Sequence, residues 1–199
     1  PAFLNGFSID AGTLQSKLFP EATQQLLSQA ERIINDHSWP LLGFDEKSFG
    51  QEIQWTRDPL SNYAWPLDYH RDIKLVRDDG SDVRVLWELN RLGHFITLAR
   101  AYSLTNDERY SAEFFAQLRS WADQNPYGRG PNWTCAMEVA LRAINLLAAF
   151  ETFRRSPQLD SEFLPFFLQL VQQHGNYIRR NLEFSYIATS NHYLSDVVG

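Results

Sequence analysis

Apolar residues recur at helical spacing along most of this chain, and the intervals between them divide it into elements. Ala22, Leu26, Leu27, Ala30, Ile33 and Ile34 predict a helix over Pro20 to Asp36, entered through a proline that suits a first turn. A second helix is expected from Val83 to Leu104 and a third from Asp107 to Asp123. The third carries a single stripe of Tyr110, Phe114, Leu118 and Trp121 against charged residues. A fourth is expected over Thr134 to Arg154, stopped by Ser156-Pro157, and a fifth over Gln158 to Arg180 with Pro165 in its first turns. After a connection from Asn181 to Thr189, Ser190-Asn191 has the composition of an N-cap for a helix starting at His192. Between His37 and Asp82 the period disappears. Trp39, Phe44, Phe49, Trp55, Tyr63, Trp65 and Tyr69 are scattered there among prolines and glycines, which predicts an irregular segment draped over the helices.

Strand signals are weak throughout, so the expected class is all-α. Helices with a broadly apolar body and a thin polar stripe alternate with simple amphipathic ones. That alternation is the pattern of inner and outer helices in a helical-hairpin array or an α/α toroid, whose inner helices line a cleft.

The polar stripes are where chemistry is expected. Within the nearly all-apolar fourth helix, Glu138, Arg142 and Asn145 stand at i, i+4 and i+7 and so share one face. A polar stripe on a buried helix needs partners or a wet cavity. Either Glu138 and Arg142 neutralise each other, or the stripe is one wall of a cleft. Asn90, Arg91 and His94 make a second constellation on the Val83 to Leu104 helix, either a satisfied core patch or, through the Arg91 fork, an anion site. Trp133, beside the loop NPYGRGPNW, offers a flat ring to a sugar or belongs to the core. At the start of the last helix, His192 is expected to stay neutral near the positive dipole end and to accept protons, with Asp196 one turn on able to fix its tautomer. The plainer alternative is an N-capping Asn191 followed by a surface histidine.

Composition narrows the classes. At 199 residues with 44% hydrophobic content, the chain can bury a substantial core and is not a disordered segment. A net charge of -6 disfavours nucleic acid as partner, yet leaves room for an anionic ligand on a local arginine cluster. The single cysteine, Cys135, rules out an internal disulfide and a cysteine-built zinc site, and no metal or cofactor motif stands out. No apolar run reaches the length of a membrane span.

The ordered succession WTRDP at Trp55 to Pro59, DVRVLWELNRLGH at Asp82 to His94, AYSLTNDERY at Ala101 to Tyr110, NPYGRGPNW at Asn125 to Trp133, EVALR at Glu138 to Arg142 and SNHYL at Ser190 to Leu194 resembles the N-terminal helical region of heparinase II/III-like polysaccharide lyases. The resemblance implies that residues 1–199 form the N-terminal part of an incomplete (α/α) toroid of antiparallel helical hairpins, ending before its remaining helices and a β-sandwich domain. It implies β-elimination on an anionic, uronic-acid-containing polysaccharide such as a glycosaminoglycan or alginate, without a cofactor, in the periplasm or outside a bacterial cell. By the same resemblance, Asn191 donates to the uronate carboxylate and His192 is a second neutraliser or the base. Asn90, Arg91, His94, Trp133, Glu138 and Arg142 line or support the substrate cleft. The family's catalytic tyrosine lies on a later helix; Tyr193 is not assigned that role, and residues 1–199 alone are expected to be inactive. A non-catalytic carbohydrate-binding or scaffold toroid is the alternative. A toroid glycoside hydrolase using paired carboxylates such as Glu138 with Asp68 or Asp72 is a third.

Overall fold

The computed structural model describes residues 9–41, 44–183 and 191–199, with side chains from residue 14 onward. Among these residues the chain forms α1 (Ile9–Leu18), α2 (Pro20–Asp36), α3 (Val83–Asn90), α4 (His94–Thr105), α5 (Glu108–Gln124), α6 (Ala136–Phe153), α7 (Phe163–Arg180) and α8 (Asn191–Val198). Two three-residue strands, β1 (Ser38–Pro40) and β2 (Glu46–Ser48), pair antiparallel beside α2, with Trp39 opposite Lys47.

The helix boundaries follow from local chemistry. α2 has proline in its first turn and buries Thr23, Leu26, Ala30 and Ile33 on one stripe. Asp82 and Asp107 cap α3 and α5, each carboxylate accepting the backbone N–H two residues on, from Arg84 and Arg109 respectively. α4 ends at Asn106, whose φ of 53° is the left-handed conformation that asparagine tolerates, and Asn106 N–H donates back to Tyr102 O.

The helix expected from Val83 to Leu104 is in fact two. It breaks after Asn90, where Leu92 takes a φ of 57° and Gly93 precedes α4. A leucine in that region costs local free energy and persists only where tertiary contacts impose it. Leu92 is completely buried in the core, which supplies the compensation. The break redirects the residues expected on one face: Arg91 turns towards α6, while His94 turns towards Trp39 and Trp55. Ser190, the expected cap partner of α8, lies outside the described residues, as does most of the connection before it.

Packing follows chain order. α2, α4, α6 and α8 lie side by side in that sequence, α5 backs onto α4 and α2, and α7 backs onto α6. The two-residue link between α4 and α5 makes them an antiparallel hairpin. Alternation of inner and outer helices is the construction of an α/α toroid, and this chain forms an arc of one. A single large core runs from Ala30 and Ile33 through Phe95, Phe114 and Trp121 to Leu146, Phe153, Phe163 and Phe167.

The irregular segment packs through Trp39, Trp55 and Trp65, which are buried, whereas Phe44 and Tyr69, expected to pack with them, stay exposed. Asp58 pins it, accepting from the N–H of Leu60, Ser61 and Asp82 and from the Ser61 hydroxyl. Gly130 has a φ of 78°, which strains any residue with a Cβ, and a Cβ there would also push aside Leu67 Cδ2 at 2.9 Å.

Candidate functional site

The residues singled out in the sequence separate into an interior group and an open group, and both are organised by α6. The interior group centres on Arg142, which is 1% exposed. Its Nε–H donates to His174 Nε2 at 2.9 Å, one terminal nitrogen donates to Asn132 O at 2.9 Å, and the other reaches Asn90 O at 3.4 Å. The guanidinium lies over the rings of Trp121 and Trp133, 4.6 and 5.4 Å from their centroids. Removal from water pushes its pKa down to about 9, against the opposing attraction of Glu138. His174 supports it in one defined tautomer. Its Nδ1–H donates to Leu170 O at 2.8 Å, so Nε2 is the acceptor, and burial followed by the Arg142 charge lowers its pKa to about 3.

Asn90 and Trp133 belong to the same interior, both 0% exposed. Asn90 Nδ2 donates to Trp55 O and Leu86 O, and its Oδ1 accepts from Trp121 Nε1 at 2.8 Å. Asn132 Nδ2 donates to the same Trp55 carbonyl and to Asn125 Oδ1. Trp133 Nε1–H donates to Asn125 O at 3.2 Å, and its ring is enclosed by Tyr127, His174 and Tyr177. Of the residues expected to line or support a substrate cleft, Asn90, Trp133 and Arg142 line no open surface: they lock the 125–133 loop, the Trp55 segment and α3 onto α6. Their polar atoms meet carbonyls and rings of the protein, which is the arrangement a buried polar group requires.

The expected Glu138–Arg142 ion pair is corrected as well. Glu138 reaches across to Arg91, taking Nε at 2.7 Å and the far terminal nitrogen at 2.9 Å in a two-pronged contact, and Arg91 also pairs with Glu88. Asn145 Nδ2 donates to Arg91 O at 2.8 Å. All three members of the α6 stripe thus bind the end of α3: Glu138 its last arginine, Arg142 the Asn90 carbonyl, Asn145 the Arg91 carbonyl. These are the carbonyls that a helix terminus leaves unpaired.

Arg91 and His94 border an open cleft of about 280 Å³, with Arg32, Trp39, Glu46 and Asn145 among its walls. His94 stacks on Trp39 with centroids 3.9 Å apart, and its Nε2–H donates to Gln117 Oε1 at 2.8 Å. Burial holds its pKa near 3, and its buried Nδ1 has no hydrogen-bond partner among the described residues. Both arginines of this cleft carry carboxylate partners, Glu46 for Arg32 and Glu138 with Glu88 for Arg91.

The open group lies where α8 meets the first turn of α6. Asn191 is exposed, its Nδ2 3.7 Å from Met137 Sδ, and the His192 side chain is 41% exposed. His192 Nδ1 contacts Glu183 Oε2 directly, so Glu183 takes the orienting role expected of Asp196. Asp196 instead accepts the Glu183 N–H through Oδ2 at 2.8 Å, and burial raises its pKa. The second Glu183 oxygen accepts Ala136 N–H at 3.0 Å, capping α6, whose own N-cap residue Cys135 provides no side-chain cap. Cys135 Sγ, a Glu183 oxygen and a ring nitrogen of His192 all lie within 4.8 Å of one another. That donor set is of a kind that takes a zinc-class cation, but Glu183 and His192 contact each other directly, and burial pushes the Cys135 thiol up to about 12. Glu183 and His174 were not singled out from sequence. Neither stands in a spacing pattern with its partner, because each acts across helices.

The family described as Heparinase II/III N-terminus matches residues 14–199. The chain is 30% identical over 141 residues to the heparin-sulfate lyase of Pedobacter heparinus, an overlap of 68% of this chain and 20% of that protein. With the heparin-sulfate lyase of Bacteroides stercoris the identity is 27% over 175 residues, 77% of this chain and 26% of the relative. Among solved structures, heparan sulfate lyase HepC from Pedobacter heparinus superposes with a TM-score of 0.67 at 24% identity, covering 88% of this chain and 24% of that one. A heparinase III gene product gives the same TM-score at 21% identity over 86% of this chain and 26% of that one. The chain therefore spans between 20% and 26% of the length of these relatives.

Proposed function

The chain belongs to the heparinase II/III family through its N-terminal domain, and from that premise we propose that it is the helical domain of a lyase cleaving a uronic-acid-containing, heparan-sulfate-like polysaccharide by β-elimination. The observation that carries this is the Asn191–His192 pair, presented side by side on the open start of α8 and braced on α6 through Glu183. In β-elimination a base takes the proton from the carbon beside the uronate carboxylate. The freed electron pair forms the ring double bond, and the glycosidic oxygen leaves with a proton from an acid. That carbon acid is weak, so neutralising the carboxylate as charge moves onto it makes the largest contribution. Asn191 donates its amide hydrogens there. His192 is the second neutraliser or the base, according to the configuration of the uronate.

The acid in this reading is a tyrosine from a part of the full-length protein outside residues 1–199. These residues alone bind no complete transition state and are inactive. Asn90, Trp133 and Arg142 act as scaffold beneath the site, while Arg91 and His94 edge the neighbouring cleft. A polymer substrate of this size places the protein in the periplasm or outside the cell, and no helix among the described residues is long and apolar enough to cross a membrane.

The deciding experiment is an assay of the full-length protein on heparan sulfate, other glycosaminoglycans and alginate, reading the absorbance of unsaturated uronate. Product on at least one polymer, lost in His192→Ala, is expected. Binding without product in the intact protein overturns the lyase assignment in favour of a carbohydrate-binding toroid. Saturated products indicate a hydrolase.

A further inference from the structure

We infer that Glu183 is the positioning residue of His192, selecting its tautomer and fixing its ring against α6. Three contacts of the one side chain and its backbone carry the inference. Glu183 Oε2 contacts His192 Nδ1, Oε1 accepts Ala136 N–H at 3.0 Å, and the Glu183 N–H is itself held by Asp196 Oδ2 at 2.8 Å. An ionised carboxylate has only acceptor sites, so the imidazole nitrogen facing it must carry hydrogen. Neutral His192 is thereby the Nδ1–H form, with its lone pair on Nε2. Nε2 is then the nitrogen that accepts a proton from the sugar or, once protonated, donates to the uronate carboxylate.

The anchoring is stiff at both ends. Ala136 N–H is one of the unpaired donors at the start of α6, a place where a carboxylate is favoured by the helix dipole. Asp196 ties the Glu183 backbone to the second turn of α8. Glu183 therefore links the beginning of α6 to the beginning of α8, and the imidazole is aimed relative to the helix that carries the rest of the site. An orientation error of about 1 Å in such a group costs about 100-fold in rate.

The functional consequence rests on the lyase activity proposed above, but the tautomer does not, so the two fail separately. In the full-length protein labelled with 15N-histidine, with His192→Ala identifying the signal, neutral His192 is expected to show a protonated Nδ1 and an unprotonated Nε2. Glu183→Gln, whose amide can accept or donate, should shift that signal towards a tautomer mixture. It should also lower kcat by about 100-fold, with KM nearly unchanged. Glu183→Asp, which keeps the carboxylate, should retain the Nδ1–H form and restore part of kcat, and circular dichroism confirms that both variants are folded. A wild-type His192 protonated at Nε2, or a folded Glu183→Gln protein with unaltered 15N signals and kcat, overturns the assignment. The expected tautomer in a protein that makes no unsaturated product supports the positioning role while refuting the lyase function.

Discussion

Two polar clusters meet on α6, one sealed and one open. Around Arg142 the guanidinium is enclosed by its partners: it has His174, two carbonyls and two indole rings, and it is 1% exposed. At the first turn of the same helix, Glu183 binds His192 through one nitrogen and leaves the side chain 41% exposed, beside an exposed Asn191. A sealed cluster holds the chain in one arrangement, because every partner lost leaves an unpaired group in the interior. An open cluster whose histidine is braced on one side and whose side chains are accessible can meet a substrate. The same residue types, Asn, His and a charged side chain, serve both purposes; burial separates them.

Substitutions should separate the clusters by readout. The largest effect is expected from His192→Ala, which should lower unsaturated-uronate formation by the full-length protein by about 100-fold to 10,000-fold while leaving the thermal midpoint in place. A stability loss of equal weight would erase the distinction. Trp133→Ala should do the reverse, removing about 3–5 kcal/mol of stability in urea unfolding with kcat retained by the folded fraction. If this variant folds normally and raises KM, Trp133 belongs to the substrate surface after all. Glu138→Gln should cost about 1–3 kcal/mol, since Arg91 keeps Glu88 but the nearly inaccessible Glu138 site loses its charge.

The gentlest probe is pH. His94 and His174 are held near pKa 3 in the folded chain, against an ordinary 6.5. Between these values the unfolded chain binds more protons, so stability should fall as pH drops below about 6.5, by about 1.4 kcal/mol per pH unit for each histidine. His37 runs the other way. Its contact with Glu113 raises its pKa, so its contribution is present in full below the ordinary value and is lost as pH rises through the raised one. Urea midpoints measured from pH 4 to 8 should show a flatter acid limb in His174→Gln than in the parent chain.

The apolar periodicity made α2, α5 and α6 readable to within two residues and placed the end of α7, which starts at Phe163 rather than at the expected Gln158, since each buries a repeated face whose spacing is fixed by helix geometry. The continuous period from Val83 to Leu104 concealed the break at Leu92, because a left-handed leucine has no composition signal and is imposed by the core around it. α1 went unpredicted for want of an apolar stripe strong enough to announce it. Asn191 and His192 could be named because they sit together at a helix start in a recognisable run. Glu183 could not, being tied to them only through space.

By itself, then, the sequence determined the helical class, the alternation of inner and outer helices, the family, and the polar stripe on α6. Only the tertiary structure decided what that stripe does. Spacing on one helix makes Glu138 and Arg142 neighbours and suggests that they pair. Packing instead gives Glu138 to Arg91 and gives Arg142 a neutral cage of carbonyls, His174 and indole faces. Local periodicity fixes which residues share a face, whereas the partner each one meets is set by the helices and loops folded against that face, whose contacts come from distant parts of the chain.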